Sequence, residues 1–503
     1  METALAAAPV VLVLVLLVVV GWSASASGLV GAGVAAVIAV VVFDFGGSQD
    51  TFGIPGGFLG VFAEAASITM SVVAIIGPAL AIHHLQMKTG ATERLQEALG
   101  RLSPDPRISA LLVAWFFTLF LEGAAGFGTP VALAAPFLVA AGLKPLPALV
   151  AALVGHAAGV SFGALGTPVL VQSESSGIPE SDLACATAVY HLALGWLLTA
   201  VVVVTVSRSI GTGRMPWGRG VLAAVSFFVP YGLIACYVGA ELPSLGGAII
   251  GAVVFVVATR RRGSGEDEKL TEEQALDGAP VLRAGAAYLT VLALVLLTRL
   301  VPALRSALAA VDLRWELFGE FSFESRPLLH PAVVLTAAIV VGAVAQGATR
   351  TDVLDALRDT GRQLLPVVVA LLAMVTIAQT MSRSGMTGEL AEAAAGTGAL
   401  WPLFAPAVGA LGTLVTGSAT ASNILFTDLQ QLTAENVGLP QVPLLGAQGF
   451  GAAAGNMFAP HNIVAGAAVV GLVGDEGRIL RRTLPVALAY VVLGGVLAWW
   501  LAG

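Results

Sequence analysis

Residues 120–136 read FLEGAAGFGTPVALAAP, a carboxylate and three glycines set inside an apolar run. The runs on either side, 108–121 and 131–143, are too short to cross a bilayer. At ~1.5 Å of rise per residue the first reaches about 20 Å, against a hydrocarbon core of ~30 Å. They read as the legs of a re-entrant hairpin with GAAGFGTP as a tip deep in the membrane. Irregular backbone at that depth is tolerated only where protein buries it or it lines a cavity. Broken helices of this kind point to a transporter's binding site.

Comparable apolar runs recur through all 503 residues, of which 57% are apolar and 11% charged. The expected fold is an all-α polytopic membrane protein. Its 59 glycines suit close helix approach and unwound segments. Cys185 and Cys236 lie in or beside predicted spans, which argues against both a disulfide framework and a metal site. The phosphate-binding P-loop pattern is absent, so energy from nucleotide hydrolysis would have to come from another chain. No cofactor and no nucleic acid is expected.

Residues 8–22 followed by SASAS resemble a signal peptide, but the basic leader is missing, and the segment is read as a retained first span. Spans at 28–43 and 57–83 follow. Asp44 and Asp50 precede the third span, whereas Lys88, Arg94, Arg101 and Arg107 follow it. The positive-inside rule therefore sends this span into the cytoplasm and leaves the N-terminus outside. The hairpin dips from the cytoplasmic side, 145–172 runs outward with a break in GHAAGVSFGALGTP, and the acidic loop SESSGIPESD is external. Spans at 183–206, 220–238 and 244–259 put Arg208, Arg214, Arg219 and the triplet Arg260, Arg261, Arg262 inside. After a solvated linker, spans at 284–301 and 329–347 flank an external segment, and 364–382 goes out. A second short-legged unit, built on TGSATASN, starts and ends outside. The broken segment 442–474 re-enters at Arg478, Arg481 and Arg482, and 484–502 leaves the C-terminus outside.

Shifting the chain on itself by about 294 residues lays Lys88-Thr89-Gly90 on Arg383-Ser384-Gly385, the tip GAAGFG on GSATAS, and one broken segment on the other. The charge-based topology gives the two copies opposite orientation, which is the inverted repeat of secondary transporters, with the site at the repeat interface. The expected architecture has about 12 spans plus two re-entrant hairpins. It divides into N-terminal spans 1–50, a first repeat 51–259 with hairpin 108–143, a cytoplasmic linker 260–282, connecting spans 283–348, and a second repeat 349–503 with hairpin 400–432.

Neither tip and neither broken segment contains Lys or Arg. An anion would instead meet helix N-termini, whose free N–H groups and dipoles favour negative charge, with glycine allowing close approach. The predicted binding residues are Gly123, Gly126, Gly128 and Thr129 at the first tip, Thr167 at the first break, and Gly417, Ser418, Thr420, Ser422 and Asn423 at the second tip, with Thr416 beside them. A Ser or Thr hydroxyl can equally bond back to the preceding turn. Glu122 is the carboxyl nearest a tip. Ionisation at mid-bilayer costs at least ~2.5 kcal/mol, so a carboxyl that gains and loses a proton with substrate suits a proton symporter. A helix cap is the competing role. His156 and His461, on the two broken segments, can carry a proton or serve as buried structural groups. Glu64 and His191 are weaker coupling candidates, His83 and His84 are placed at the cytoplasmic interface, and Arg299 is expected to snorkel outward.

At these residues the chain resembles the L-lactate permease family, proton-coupled importers of lactate and glycolate. FLEGAAGFGTPVA carries the resemblance most specifically, with SPDPR, FGALGTPVL, TGSATASNILF and AVVGLVGDEG beside it, over about residues 60–490. It implies a 2-hydroxymonocarboxylate and proton symporter in the plasma membrane, and marks Glu122, Gly123, Gly126, Gly128 and Thr129 as motif positions. The chain departs from the family pattern at Ala419, His156, Asn456, His461 and Asn462. The expected partners are a small organic anion, a proton and the bilayer. Two alternatives stand beside this: sodium-coupled transport of a larger carboxylate, because carbonyls and Ser, Thr and Asn oxygens also hold sodium, and an intramembrane enzyme using His156 or His461 as a base.

Overall fold

Two long helices, Gly53–Lys88 and Arg350–Arg383, form the frame of the molecule. A computed structural model describes residues 1–16, 20, 22–47, 52–100, 105–126, 129–210, 217–262, 278–472 and 475–503. The two helices pack together with opposite direction. Lys88 Nζ lies 2.9 Å from Asp359 at one end, and Arg383 pairs with Glu64 at the other. The paired positions are 24 residues apart on each helix, about 36 Å at the helical rise. That exceeds the ~30 Å hydrocarbon core and falls inside the ~40–45 Å of the whole bilayer. The ion pairs thus fit the two headgroup levels, with apolar helix between.

Each long helix turns at a left-handed glycine, Gly90 or Gly385, into a ten-residue helix, Ala91–Gly100 or Met386–Ala395. Among the described residues seven helices are long and apolar enough to span a membrane, or up to ten if each bent pair is one span. The all-α multi-spanning class therefore holds.

The segment expected as the leading leg of a first hairpin is longer than the sequence indicates, and is long and apolar enough to cross a membrane. Pro106–Ala124 is continuous, with a π-helical stretch at Leu112–Phe117, because the carboxylate-bearing turn stays helical. The next helix is Thr129–Ala140. The first broken segment consists of Pro145–Gly155, a 3-10 stretch Ala157–Phe162, and Gly163–Ser176. The span expected at 183–206 consists of two helices, Glu180–Leu194 and Trp196–Ser209, bent by 47°. In the second half, Trp401–Thr416 and Ala419–Val437 meet at left-handed Gly417, and Gln441–Gly455 and Pro460–Val469 flank a second break.

Two features depart from expectation. Cys185 and Cys236, 51 positions apart, form a disulfide. Their helices, Glu180–Leu194 and Trp217–Tyr237, pack side by side, a proximity that sequence spacing does not encode. The connecting region also carries a two-stranded antiparallel hairpin, Leu313–Leu317 with Phe321–Ser325, turning at positive φ on Phe318 and Gly319. Its Phe321 ring seats on Gly60, its Trp315 Nε1 donates to Ser67 Oγ at 3.1 Å, and the Ser322 N–H donates to Glu64 at 3.0 Å. The Glu64–Arg383 pair is therefore covered by this hairpin, with the guanidinium 5.1 Å from the Phe321 ring centre.

Candidate functional site

Both tips and both breaks meet at one cavity. Glu122 and Gly126 line it from the first tip, Val160, Gly163, Ala164 and Pro168 from the first broken segment, Gly417, Ser418, Ala419 and Thr420 from the second tip, and Asn456 from the second break. Its volume is about 30 Å³, room for roughly one water. A three-carbon acid enters only if these walls part.

Three glycines shape the place of the Glu122 side chain. A Cβ on Gly163 would lie 2.5 Å from Glu122 Oε1, one on Gly126 3.4 Å from the same oxygen, and one on Gly159 3.3 Å from Cγ. The carboxyl is almost fully buried, with no hydrogen-bond partner among the described residues. That observation argues against the cap role. Following Gly163 the chain makes a left-handed turn through Ala164 (φ 43°), Leu165 (φ 57°) and Gly166 (φ 80°). Left-handed geometry costs roughly 1–2 kcal/mol at each non-glycine, strain that persists only where surroundings over-determine it. Thr167 Oγ1 fastens the turn by donating to Ala164 O at 2.6 Å, and a fresh helical stretch starts at the cavity.

The opposite wall supplies donors. Ser418 caps the helix Ala419–Val437, its Oγ accepting from Ala421 N–H at 3.3 Å. The Ala419 and Thr420 N–H groups have no partner within the helix. Asn456 Oδ1 accepts from Asn462 Nδ2 at 2.7 Å, which leaves the Asn456 amide N–H groups for the cavity. Carboxyl on one wall and hydroxyls, amide and helix N-terminus on the other form an asymmetric site.

Several predicted residues do other work. Gly123 lets the leading leg pack on the Leu245 backbone. Ser422 Oγ donates to Gly409 O at 2.7 Å and ties the legs of the second hairpin, and Thr416 Oγ1 bonds back to Gly412 O at 2.8 Å. Asn423 Nδ2 donates to Pro168 O at 2.9 Å, joining the second tip to the first break. Gly128 lies outside the described residues, as do 263–277 of the linker and the side chain of Thr129. His156 Nδ1 donates to Ala152 O at 3.0 Å. His461 packs its ring on Gly417 and lies within electrostatic range of His156. Both flank the cavity without lining it. His84 Nε2 contacts Gln363 Oε1 at 3.0 Å near the Lys88–Asp359 level. The sequence reading passed over Ala164, Pro168 and Val160 as lining residues. The glycines at 159, 163 and 166 were their only signal.

A larger cavity of about 440 Å³ lies on the outer face of the first leg, between Phe116, Phe120, Val253 and Leu282. Its lining is apolar apart from Tyr288, unsuited to an anion.

The model of the L-lactate permease family matches residues 2–502. The chain belongs to the L-lactate permease family. It is therefore a membrane-transport protein and not an enzyme. It is 30% identical to an L-lactate permease of Streptococcus iniae over 73% of this chain and 78% of that one. With an L-lactate permease of Bacillus subtilis the identity is 28% over 93% and 90%, and with the glycolate permease GlcA of Escherichia coli 28% over 84% and 83%. Among solved structures, the YdaH transporter of Alcanivorax borkumensis superposes with a TM-score of 0.53 at 17% identity, covering 94% of this chain and 97% of that one. At that identity the similarity is one of fold.

Proposed function

We propose that this permease imports a small 2-hydroxymonocarboxylate, L-lactate or glycolate, by proton symport through the cavity between the two tips. The observation that carries this is the Glu122 carboxyl facing donor groups across a small cavity with no Lys or Arg in its lining. A substrate carboxylate fits the donors of Ser418, Thr420 and Asn456 and the N-terminus of the second tip. Beside it an ionised Glu122 is a like charge. At 4 Å and an effective dielectric of 20 their repulsion is about 4 kcal/mol, so one proton entering with the anion makes the loaded site stable. Coupling then needs no further group, and His156 and His461 lie outside the cavity lining.

The inverted repeat is part of the same reading. Lys88 and Arg383 are 295 positions apart, and so are Glu64 and Asp359. The pair Lys88–Asp359 thus maps onto Arg383–Glu64 under one shift with partners exchanged, as a two-fold axis in the membrane plane requires. The hairpins at 108–143 and 400–432 then enter from opposite sides and their tips meet at mid-bilayer. The Cys185–Cys236 bridge supports an external location for the loop ends near 180 and 240, since disulfides persist on the oxidising side of a membrane. With the proposed span order, this reading has both termini outside.

Proteoliposome uptake tests the proposal. Labelled lactate accumulates under an inward proton gradient and is displaced by glycolate but not by succinate. Accumulation driven by sodium at constant pH, or displacement by succinate, would replace the proposed ion or substrate.

A further inference from the structure

Ser161 sits in the 3-10 segment Ala157–Phe162, next to Val160 and two residues from Gly163, both of which line the cavity. Its hydroxyl donates to Gly449 O at 3.1 Å, on the helix Gln441–Gly455 of the other half. A hydroxyl has one hydrogen to give. The 2.9 Å contact between Ser161 Oγ and His191 Nε2 therefore runs the other way, from Nε2–H to Oγ. A neutral imidazole then has a bare Nδ1, which accepts from the Tyr490 hydroxyl at 2.8 Å. With a neutral ring, one set of directions makes all three contacts hydrogen bonds, and it runs from Tyr490 through His191 and Ser161 to Gly449. Ser161 and His191 are inaccessible and Tyr490 nearly so, so no water competes. Tyr231, Phe450 and Tyr490 pack around the imidazole, and no charged group is paired with it among the described residues.

We propose that His191 is a positioning residue for transport. It holds Ser161 in the one orientation that fastens the first break to Gly449, and so sets the cavity wall at Val160 and Gly163. Within its own half the segment is held by Tyr231, whose hydroxyl donates to Ala158 O at 3.0 Å, and by Ser244 Oγ, which donates to Gly159 O at 2.7 Å; Ser161 ties it to the other half. A directed chain of hydrogen bonds among groups closed off from bulk solvent favours one register, because a misplaced donor there has few substitute partners. His191 on this view is a strut between halves and not a proton carrier. The inference rests on reading this cavity as the substrate site.

The test combines uptake kinetics with a spectrum of the ring. Ser161→Ala and His191→Leu are each expected to raise KM for lactate about fivefold or more, with Vmax within about twofold. The double variant is no worse than the worse single, since both cut one chain. His191→Gln, whose amide can donate to Ser161 and accept from Tyr490, keeps KM within about twofold of wild type. Additive single effects, or a His191→Gln variant as impaired as His191→Leu, would overturn the proposal. Should His191→Leu fail to fold, Ser161→Ala, which removes one hydroxyl, carries the kinetic arm. Solid-state 15N spectra at pH 7, with His191→Gln assigning the signal, are expected to show Nε2 protonated and Nδ1 bare. The opposite tautomer would overturn the relay whatever the substrate. If wild type takes up no lactate, the transport reading fails while the spectrum still decides the relay.

Discussion

At the scale of single residues the cavity works by contrast between two walls. Glu122→Gln keeps the shape of the side chain and removes its proton exchange. We expect it to abolish accumulation driven by a proton gradient while the protein still reaches the membrane, and full concentrative uptake would exclude Glu122 from coupling. Gly163→Ala places a methyl 2.5 Å from Glu122 Oε1. Overpacking of this kind costs about 1–3 kcal/mol, so uptake should fall about tenfold with an unchanged elution profile in detergent. Asn456→Ala removes an amide donor from the opposite wall. A net hydrogen bond is worth about 0.5–1.5 kcal/mol, and KM for lactate should rise several-fold with little change in Vmax. These roles were partly legible beforehand. A carboxyl and glycines inside an apolar run stand out in any sequence, whereas Thr167, Ser422 and Asn423 look the same as ligands until their hydrogen bonds to Ala164, Gly409 and Pro168 are seen.

At the scale of elements, the helix Pro106–Ala124 is anchored at its N-terminal end by Asp105. This residue caps the helix that begins at Pro106, accepting from the Arg107 N–H at 3.0 Å, and lies 2.8 Å from Arg219 of the helix Trp217–Tyr237. Burial raises the Asp105 carboxyl, but hydrogen bonds from Arg107 and Arg219 outweigh it, and its pKa is held below the usual value. A folded-state pKa below the unfolded one stabilises the protein above the unfolded pKa, and that stability is lost as pH falls through the folded value. Asp105→Asn should therefore lower the melting temperature at pH 7, with the gap from wild type closing only as pH drops below about 4. A gap that closes between pH 6 and 8 would mean another group is responsible. Where the helices break was legible because glycine and small polar residues interrupt apolar periodicity. The sequence missed the length of the expected leading leg, since Glu122 and Gly123 remain helical when packing buries them.

At the scale of the whole molecule, the two long helices are joined by ion pairs of unequal burial. Glu64 is buried beneath the strand hairpin, while Lys88 and Asp359 remain partly open. Removing one partner of a buried pair strands the other charge at a cost of about 3 kcal/mol or more. Arg383→Gln should thus lower thermal stability markedly, and Lys88→Gln should scarcely change it. Equal effects would contradict the difference in burial. The proposed orientation predicts that an impermeant maleimide added to intact cells labels Ser181→Cys and spares Lys144→Cys, and the reverse pattern would invert the topology.

Composition and periodicity determined that this chain spans a membrane many times, because apolar runs of that length have no stable place in water, and motif residues marked where the helices break. The stretch TGSATASN contains the break between the helices Trp401–Thr416 and Ala419–Val437. Tertiary structure decided which broken ends share a cavity, which hydroxyls are already engaged, that Cys185 meets Cys236, and that Glu122 faces donors from the opposite half. Such facts depend on helix register between segments hundreds of residues apart, and a local pattern of residues carries no term for that distance.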